Sequence, residues 1–367
     1  MRASASDQEL IQLAQRGDES AYQSLVEQHR RELHAHCYRM LGSVHDAEDA
    51  LQDAFLRAWK GLHGFEGRSS PRSWLYKIAT NTCLDTIARR PRQRVLPFEY
   101  APATEPLAGP GAPVTESVWI EPYPDEMLGL QDGFASPEAR YERRESVELA
   151  FVAALQHLPA RQRAVLILRE VLGYSAAEVA DLLDASVASV NSALQRARAA
   201  VDERLPDPSQ QQTLRALGDE RIAELVDRYV EAWERNDVDT VVAMLTEDAA
   251  ISMPPLSSWF GPRDVFATFL AAFPLSGAWR WKVARTTANG QPALGFYAWD
   301  DAAAAHLPFA LNVLSLRGDR IKDVTAFVVR TTEVEREDQF HRWVDVVADP
   351  KRLELAFGRF GLPDALP

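Results

Sequence analysis

The chain has 367 residues, of which 46% are hydrophobic and 25% are charged, so it is long enough to form two or three hydrophobic cores. Its net charge of -13 excludes a protein that coats nucleic acid with its whole surface, and any such contact must come from local basic patches. Two cysteines exclude a disulfide-stapled scaffold and are typical of a reducing compartment.

The sequence gives no indication of a membrane segment or a bound metal. No apolar signal core stands at the N-terminus, and no apolar run approaches the roughly 20 residues that span a bilayer. We therefore expect a cytoplasmic protein without membrane contact. His34, His36 and Cys37 lie close together, but their spacing splits them around a helix, so local packing is favoured over a metal site. Neither a metal nor a cofactor is expected.

Residues 7–94 are predicted to form a compact helical domain, because apolar residues recur at helical spacing and glycines separate the segments. Within it, residues 46–59 form a helix with two different faces. Apolar residues at positions 47, 51, 54, 55 and 58 make one stripe, while Asp46, Asp49 and Asp53 line the other side, next to Gln52. Such an acidic face favours a basic partner.

Residues 68–85 follow this helix and alternate cations, aromatic rings and amide side chains. This mixture is typical of proteins that grip unpaired nucleic acid, since rings stack on bases and cations follow the backbone. The candidate contacts are Arg68, Arg72, Trp74, Tyr76, Lys77 and Asn81.

Residues 95–137 are predicted to form a linker. They are rich in proline and acidic residues and contain no lysine or arginine. Two alternatives remain open for this acidity: a merely solvated spacer, or a polyanion that lies in a groove that normally holds nucleic acid. The aromatic motif at residues 119–124 suggests a docking point on this protein or on a partner.

Residues 138–206 are predicted to form a second helical domain with a helix-turn-helix. Ser175 and Glu178 form a capping box that starts one helix, and Ser186 can cap the next. Val190 and Leu194 belong to the apolar side of this second helix. Its polar side carries groups that read base edges or hold phosphates in a major groove, and a generic helical hairpin is the less favoured alternative. The candidate DNA contacts are Ser186, Ser189, Asn191, Ser192, Gln195, Arg196 and Arg198.

Residues 207–332 are predicted to form an α+β domain, because helices come first and strands later. The predicted strands are 249–253, 279–287, 293–299, 308–316 and 321–330, and the last two form a hairpin. Residues 333–367 are predicted to form a helical tail.

Aromatic and apolar residues of this domain could line a ligand pocket, although core packing is the commoner role for any single one. The candidates are Met253, Trp259, Trp281, Phe296, Tyr297, Phe309 and Phe327. Asp300, Asp301 and His306 are the visible candidates for acid-base chemistry, but they occupy a predicted strand end and loop. No catalytic residue is therefore assigned.

Two blocks together carry a family resemblance. The 46–85 segment resembles region two of bacterial sigma-70 factors, and the sequences at 158–163 and 195–198 that flank the helix-turn-helix resemble region four. With only these regions, residues 7–205 resemble the extracytoplasmic-function (ECF) group of that family. In many members, basic residues stand where this chain has Asn191 and Ala193, so fewer phosphate contacts are expected.

The resemblance implies a promoter-directing subunit that binds the β′ clamp helices and the β flap of core RNA polymerase. It implies polymerase contacts at Asp46, Asp49, Gln52, Asp53 and Arg57. The basic aromatic segment would open and hold the promoter's minus-ten element, and the recognition helix would bind the minus-thirty-five element. The acidic linker would run through a polymerase channel that later carries RNA.

The C-terminal domain resembles the SnoaL-like fold, on the basis of residues 229–239 and the Trp-Phe-Gly sequence at 259–261. The expected fold class is thus multidomain: two all-α domains, a region-two bundle and a region-four helix-turn-helix, followed by an α+β cone. In sigma factors with this appendage the extra domain modulates activity, and a small-molecule ligand is possible. Two alternatives are a ligand-responsive helix-turn-helix regulator that acts without polymerase, and a SnoaL-like enzyme with a DNA-binding extension.

Overall fold

The structure is a computed structural model that describes residues 7–90, 93–109, 111, 113–114, 118–128, 144–206, 208–330 and 346–367. The chain forms two compact units. The helical unit comprises residues up to Gln93 together with Glu126–Leu205, and the α+β unit comprises Arg94–Asp125 with Pro206–Pro367. None of the helices in the described ranges is both long and apolar enough to cross a membrane.

The first half of the helical unit contains α1 (Asp7–Gln15), α2 (Glu19–Leu41), α3 (Val44–Gly61) and α4 (Pro71–Ala88). Local sequence sets several of their ends. Asp18 caps α2 and Ser43 caps α3, while Gly42 ends α2 in the left-handed conformation that glycine adopts without strain. The prediction of a helical domain here is confirmed, and the predicted 46–59 helix extends two residues further at each end.

The second half contains α5 (Leu149–Gln156), α6 (Ala160–Leu166), α7 (Ala176–Leu182) and α8 (Val187–Asp202), with a π-helical turn at Ile167–Val171. The predicted capping box is present: the Ser175 amide donates to Glu178 Oε2 at 2.7 Å, and the Glu178 amide donates to Ser175 Oγ at 3.2 Å. Asp184 sits in the turn with a positive φ of 48°. The predicted helix-turn-helix is therefore α7 and α8.

The α+β unit contains α9 (Gln210–Leu217), α10 (Asp219–Glu234), α11 (Val238–Ala243), α12 (Arg263–Ala272) and six strands. The strands are β1 (Leu245–Ser252), β2 (Trp259–Phe260), β3 (Trp281–Ala288), β4 (Gln291–Asp300), β5 (Ala305–Arg317) and β6 (Arg320–Val328). All five predicted strands are present. The two-residue β2 was missed because it is too short to show periodicity.

The strands form one sheet in the order β2-β1-β6-β5-β4-β3, in which only β1 and β6 pair in parallel. Helices α10 and α12 pack on one face of the sheet and share its hydrophobic core. The other face of β4 is covered by the C-terminal segment, which includes α13 (Pro350–Ala356). At Gly295 an added Cβ would lie 2.8 Å from Leu362 Cδ1, so the C-terminal segment packs closely against the backbone of β4 at this point. Of the predicted helical tail, residues 333–345 lie outside the described residues.

Much of the predicted linker packs against the α+β unit. Backbone bridges join Pro113 to Leu256 and Pro124 to Ala288, and Ile120 and Tyr123 are fully buried. The expectation of a merely solvated spacer does not fit the part of this segment around Leu96 and Trp119–Tyr123, whose apolar side chains are buried, although Phe98, Tyr100 and Leu107 are exposed. Residues 129–137 lie outside the described residues.

Buried His36 makes the stability of the helical unit depend on pH. Its Nε2 lies 2.9 Å from Thr80 Oγ1, and burial lowers the pKa of His36 to about 3. Between that value and the ordinary pKa near 6.5, the unfolded chain binds a proton that the folded chain does not. Stability of this unit therefore falls as the pH drops through this window.

We predict that replacing His36 by Gln removes this dependence, because glutamine does not titrate. Hydrogen exchange of α2 amides at pH 7 and pH 5 measures the opening free energy. The wild-type chain should lose about 2 kcal/mol more than the variant between these pH values. The exposed His63→Gln variant should behave like wild type. Equal losses in wild type and His36→Gln would contradict the prediction.

Candidate functional site

The outward face of α3 carries the acidic ridge predicted from the sequence. Asp49 is 65% exposed, and Gln52 and Asp53 are also exposed. Leu56, one turn further, is an exposed apolar side chain. The opposite face of the helix is buried in the bundle. This outer face therefore suits a basic surface that also offers an apolar contact.

Three of the five residues predicted on this ridge have an ionisable partner; for Asp49 it is His45, whose Nε2 lies 3.7 Å from Asp49 Oδ2. Asp46 forms an ion pair with Arg90, and both side chains are largely covered. Arg57 Nη1 lies 2.7 Å from Asp85 Oδ2 in an exposed pair. Asp46 therefore does not belong to the freely exposed ridge, because the chain itself neutralises its charge.

Arg72, at the start of α4, is held by a carboxylate of α2. Its Nε and Nη2 donate to Glu32 Oε2 at 2.9 and 2.8 Å, and its Nη1 lies 3.4 Å from the Tyr174 hydroxyl. Burial by itself raises the pKa of Glu32, but hydrogen bonds from His29 and Arg72 outweigh burial and lower it. Glu32 is thus an anion whose fixed partner is Arg72.

The aromatic residues of α4 are less accessible than the sequence predicted. Tyr76 is fully buried, and its ring meets those of His36 and Tyr174 edge-on at 5.2 and 5.8 Å. Trp74 is half-buried against Phe65, with the ring centroids 5.0 Å apart. The prediction that Tyr76 stacks on a base does not fit this arrangement, because neighbouring helices cover the ring.

Lys77 contacts the turn of the helix-turn-helix. Its Nζ lies 2.8 Å from Asp184 Oδ1 and donates to the Asp181 carbonyl oxygen at 2.9 Å. Arg68 is 84% exposed beside Glu66, and Asn81 is half-buried. The six predicted minus-ten residues thus lie along one segment; Lys77 is engaged by the second half of the unit, while Arg72 is held by Glu32 of the first half and also contacts Tyr174 of the second.

The polar side of α8 is open, as the sequence predicted. Ser186 caps the helix by accepting from the Ser189 amide at 3.1 Å. Arg196 bonds to Ser192 Oγ at 2.7 Å, and Arg198 pairs with Glu170 at 2.7 Å. Six of the seven predicted contacts are exposed and Ser192 is half-buried; the exposed six are Ser186, Ser189, Asn191, Gln195, Arg196 and Arg198.

Buried arginines join the two halves of the helical unit, and sequence reasoning missed them. Arg39 Nε donates to the Ser146 carbonyl at 3.0 Å, and its Nη2 lies 2.7 Å from Ser146 Oγ. Arg163 donates to Gln156 Oε1 at 2.6 Å and to the Met40 carbonyl. Burial lowers the pKa of Arg163 to about 10. The signal was an arginine that directly precedes an apolar run, where a charge needs internal partners.

The cone of the α+β unit encloses a cavity beside its sheet. Four of the seven predicted pocket residues line it: Met253, Trp281, Phe296 and Phe309. Other lining residues were not predicted, among them Trp233, Trp279 and Asn312. Trp279 lay within a predicted strand, but its inward direction depends on tertiary structure.

The other three predicted pocket residues lie elsewhere. Trp259 donates its ring N–H to the Ala101 carbonyl at 2.8 Å, Tyr297 donates its hydroxyl to the Pro363 carbonyl at 2.9 Å, and Phe327 lies outside this cavity. Strand alternation is the reason for the last two. Phe296 and Val328 face the cavity, so their neighbours Tyr297 and Phe327 face the other side of the sheet.

The acid-base candidates do not line the cavity. Asp301 accepts from Arg280 at 3.0 Å and is 92% exposed, Asp300 accepts from the Ala303 amide at 2.8 Å, and His306 Nδ1 lies 3.0 Å from the Pro367 carbonyl oxygen. Within the described residues, no group of three or more His, Cys, Asp and Glu side chains could hold a metal ion.

Comparison with known proteins covers both units. Family models match for sigma-70 region 2 at residues 25–93, sigma-70 region 4 at residues 148–201 and a SnoaL-like domain at residues 226–324. The ECF RNA polymerase sigma factor SigG of Mycobacterium tuberculosis is 42% identical over 96% of this chain and 85% of its own length. The ECF RNA polymerase sigma factor SigW of Bacillus subtilis is 29% identical over 54% of this chain and 95% of its own.

Among solved structures, the extracytoplasmic function sigma factor SigJ of Mycobacterium tuberculosis aligns with a TM-score of 0.55 and 20% identity. The alignment covers 93% of this chain and 99% of that one. It supports the fold of helical domains followed by a SnoaL-like unit. Given the identity to SigG along almost the whole chain, this protein belongs to the ECF group of sigma-70-family RNA polymerase sigma factors.

Proposed function

We propose that the exposed ridge of α3, formed by Asp49, Gln52 and Asp53, binds the basic β′ clamp helices of core RNA polymerase. The observation that carries this proposal is the division of α3 into a buried apolar face and an exposed acidic face. Long-range attraction between opposite charges would speed encounter, and Leu56 would add apolar contact at the centre. Arg57 lies at the edge of this ridge.

The two DNA-facing elements divide promoter recognition between them. The exposed amides and guanidinium groups of α8 suit the major groove of the minus-thirty-five element, with Gln195 and Asn191 toward base edges and Arg196 toward phosphate. The α4 segment holds the opened minus-ten strand, using Trp74, Lys77 and Asn81. Binding of the second half to the β flap would set the spacing between the two elements.

Run-off transcription with purified core polymerase tests this assignment. The factor plus core should initiate at specific promoters, and neither alone should do so. A helix-turn-helix regulator that acts without core would bind duplex DNA but would not confer initiation on core. No enzymatic role is proposed, since Asp300, Asp301 and His306 lie outside the cavity.

We predict that reversing the ridge charge, by Asp49→Lys with Asp53→Lys, weakens binding to core by about tenfold or more. The cause is repulsion from the cationic clamp surface. Both positions are exposed, so the fold should persist. Fluorescence anisotropy of labelled factor titrated with core provides the measurement.

The matched control for charge reversal is Glu203→Lys, an exposed acid at the end of α8. This control variant should bind core as wild type does. Unchanged core affinity of the double variant would overturn the proposed docking face.

We propose further that the helical unit of the free protein is closed: contacts within the unit occupy the cations that would bind the opened promoter strand. Lys77 is paired with Asp184, and Arg72 lies between Glu32 and Tyr174. A cation that already has an anionic partner must give it up before it binds phosphate. Binding of the minus-ten strand by Lys77 therefore requires α4 to separate from the helix-turn-helix, and binding by Arg72 requires it to leave Glu32 of α2.

We predict that Asp184→Asn raises affinity of the free chain for single-stranded DNA. The pair is partly exposed, so the gain should be about two- to fivefold. Asparagine tolerates the positive φ at this position, which keeps the turn intact. Anisotropy of a labelled 12-nucleotide single strand measures the effect.

Asp181→Asn is the control, because it removes the same charge while Lys77 bonds only to the Asp181 backbone carbonyl. This control separates loss of the ion pair from loss of net negative charge. Equal gains in both variants would contradict the closed arrangement.

The α+β unit is proposed to regulate the factor by holding the linker between the two sigma regions. The side-chain oxygen of Asn289, Oδ1, accepts from the Tyr123 backbone amide at 2.8 Å. The backbone amide of Asn289 donates to the Tyr123 carbonyl oxygen, also at 2.8 Å. The Thr104 amide donates to the Trp259 carbonyl at 2.8 Å, and Asp125 accepts from Gly290 at 2.7 Å. A linker held in this way is not free to enter a polymerase channel.

We predict that Asn289→Gly loosens the linker and raises run-off yield at limiting factor concentration. Glycine keeps the positive φ of 56° while removing the side-chain bond to Tyr123. Hydrogen exchange at Tyr123 should accelerate in the same variant. The chain that ends at Leu205 should change yield in the same direction.

The control is Asn236→Gly, which has the same kind of left-handed backbone, at φ 55°, in a residue that bonds to Trp279. It should leave linker exchange unchanged. Faster exchange at Tyr123 without any change in transcription would refute regulation through the linker.

A further inference from the structure

The cavity in the cone of the α+β unit has walls that suit a flat ring. Indole and phenyl rings surround it at steep mutual angles: Trp279 and Trp281 meet Phe309 at 76° and 80°, with centroids 5.2 and 5.3 Å apart. Trp233 meets Phe296 at 66° and 4.7 Å. Edge-to-face walls of this kind offer both ring faces and ring edges to a planar guest.

Two polar atoms of the residues that line this apolar wall have no hydrogen-bond partner among the described residues: the acceptor Asn312 Oδ1 and the donor Trp233 Nε1. Asn312, in the middle of β5 between Leu294 and Ala326, is only 3% exposed and lines the cavity. Its Oδ1 has no hydrogen-bond partner among the described residues. Buried carbonyl oxygens are almost always hydrogen-bonded in folded proteins, so this atom marks a place for a donor that comes from outside the chain.

The Trp281 ring N–H is not that donor and does not compete for a ligand. It donates to the Pro274 carbonyl oxygen at 2.7 Å, which also fixes the orientation of the indole wall. The cavity thus has aromatic walls, one unsatisfied acceptor at Asn312 and one unsatisfied donor at Trp233. A site with these features discriminates ligands by shape and by hydrogen bonding, with the acceptor of Asn312 selecting for a donor group.

Size and charge narrow the ligand class further. The cavity measures about 40 Å³, which exceeds the roughly 10–15 Å³ that one water needs. None of the described lining residues carries a charge, so an ionised guest would lose its hydration without compensation. A small neutral molecule is therefore favoured, and a molecule of several fused rings would have to displace the walls.

We propose that this cavity binds a small, planar, uncharged aromatic molecule of phenol or indole type, whose O–H or N–H donates to Asn312 Oδ1. Ile251 of β1, Met253 directly after it and Ala326 of β6 line the same cavity, so the guest would contact both of these neighbouring strands. Met253 also precedes Pro254 and Pro255, and the Pro255 carbonyl accepts from the linker amide of Val114 at 3.0 Å. An effect of this ligand on transcription rests on the proposed regulatory function, but binding itself does not.

Phenol and toluene are matched probes, because they share one shape and differ in the donor. A purely apolar cavity would favour toluene, which water solvates poorly. The full-length chain has five methionines, so carbon-13 labelling of their methyl groups lets nuclear magnetic resonance follow Met253 directly. We expect both probes to shift the Met253 methyl signal in a saturable way, with phenol bound at least as tightly as toluene.

Two variants locate the site and its acceptor. Asn312→Leu should shift the ratio of the two affinities toward toluene by about tenfold, because it removes the hydrogen bond and keeps an apolar wall. Ala326→Leu should abolish binding of both probes by filling the cavity. Thr287→Val, at an exposed position of β3, should bind as wild type does and serves as the control.

Several outcomes would overturn the proposal, provided that the methyl spectrum shows a folded α+β unit. They are the absence of any saturable Met253 shift in wild type, an unchanged affinity ratio in Asn312→Leu, and retained binding in Ala326→Leu. Because these titrations contain no polymerase, their failure is distinguishable from failure of the regulatory proposal, which the Asn289→Gly transcription assay tests separately.

Discussion

Helix α3 packs its apolar face into the bundle and presents its acidic face to solvent. The arrangement of the helical unit depends on this division. The apolar stripe of α3 is buried among α2 and α4, which fixes the direction of every other side chain on the helix. The acidic residues then have only the outer side available. A rotation of the helix by one residue position would place carboxylates in the core at a cost that burial of Ala and Leu side chains could not offset. Packing therefore determines where the charge is displayed.

Inside the helical unit, charged side chains are buried and hydrogen-bonded, unlike the exposed acidic residues of α3. Arg39 and Arg163 are almost fully buried, and their guanidinium groups donate across the two halves, Arg39 to Ser146 and Arg163 to the Met40 carbonyl oxygen. Removing one partner of such a buried group costs much more than an exposed pair is worth. The contact between Lys77 and Asp184, by contrast, is partly exposed and weak. The two halves are thus joined by a strong polar core and by a weak peripheral pair that opens more easily.

The α+β unit differs from the helical unit in that it includes the segment that connects the two helical halves. The proline-rich sequence cannot form regular strands throughout, yet its isolated bridges and buried aromatic side chains attach it to the sheet. The same unit leaves the Oδ1 atom of Asn312 without a hydrogen-bond partner inside an aromatic wall. A fold stabilised only for packing would gain from an apolar residue at that position, so the asparagine is best explained by recognition.

Local patterns in the sequence determined much of this architecture. The capping box at Ser175 and Glu178, the apolar stripe of α3 and the alternating strands depend on neighbours a few residues away, and they were predictable for that reason. The exposed polar side of α8 followed from the same periodicity, since whichever residues oppose an apolar stripe face solvent.

Only the tertiary structure decided which of these residues are free to act. Asp46 meets Arg90, Lys77 meets Asp184, and Tyr76 is enclosed by His36 and Tyr174, through contacts that join distant parts of the chain. The sheet likewise sent Phe296 into the cavity and Tyr297 to the other side. Sequence fixes helical and strand periodicity because those depend on short-range geometry. The pairing of charges and the direction of each strand face depend on long-range packing, which no local pattern contains.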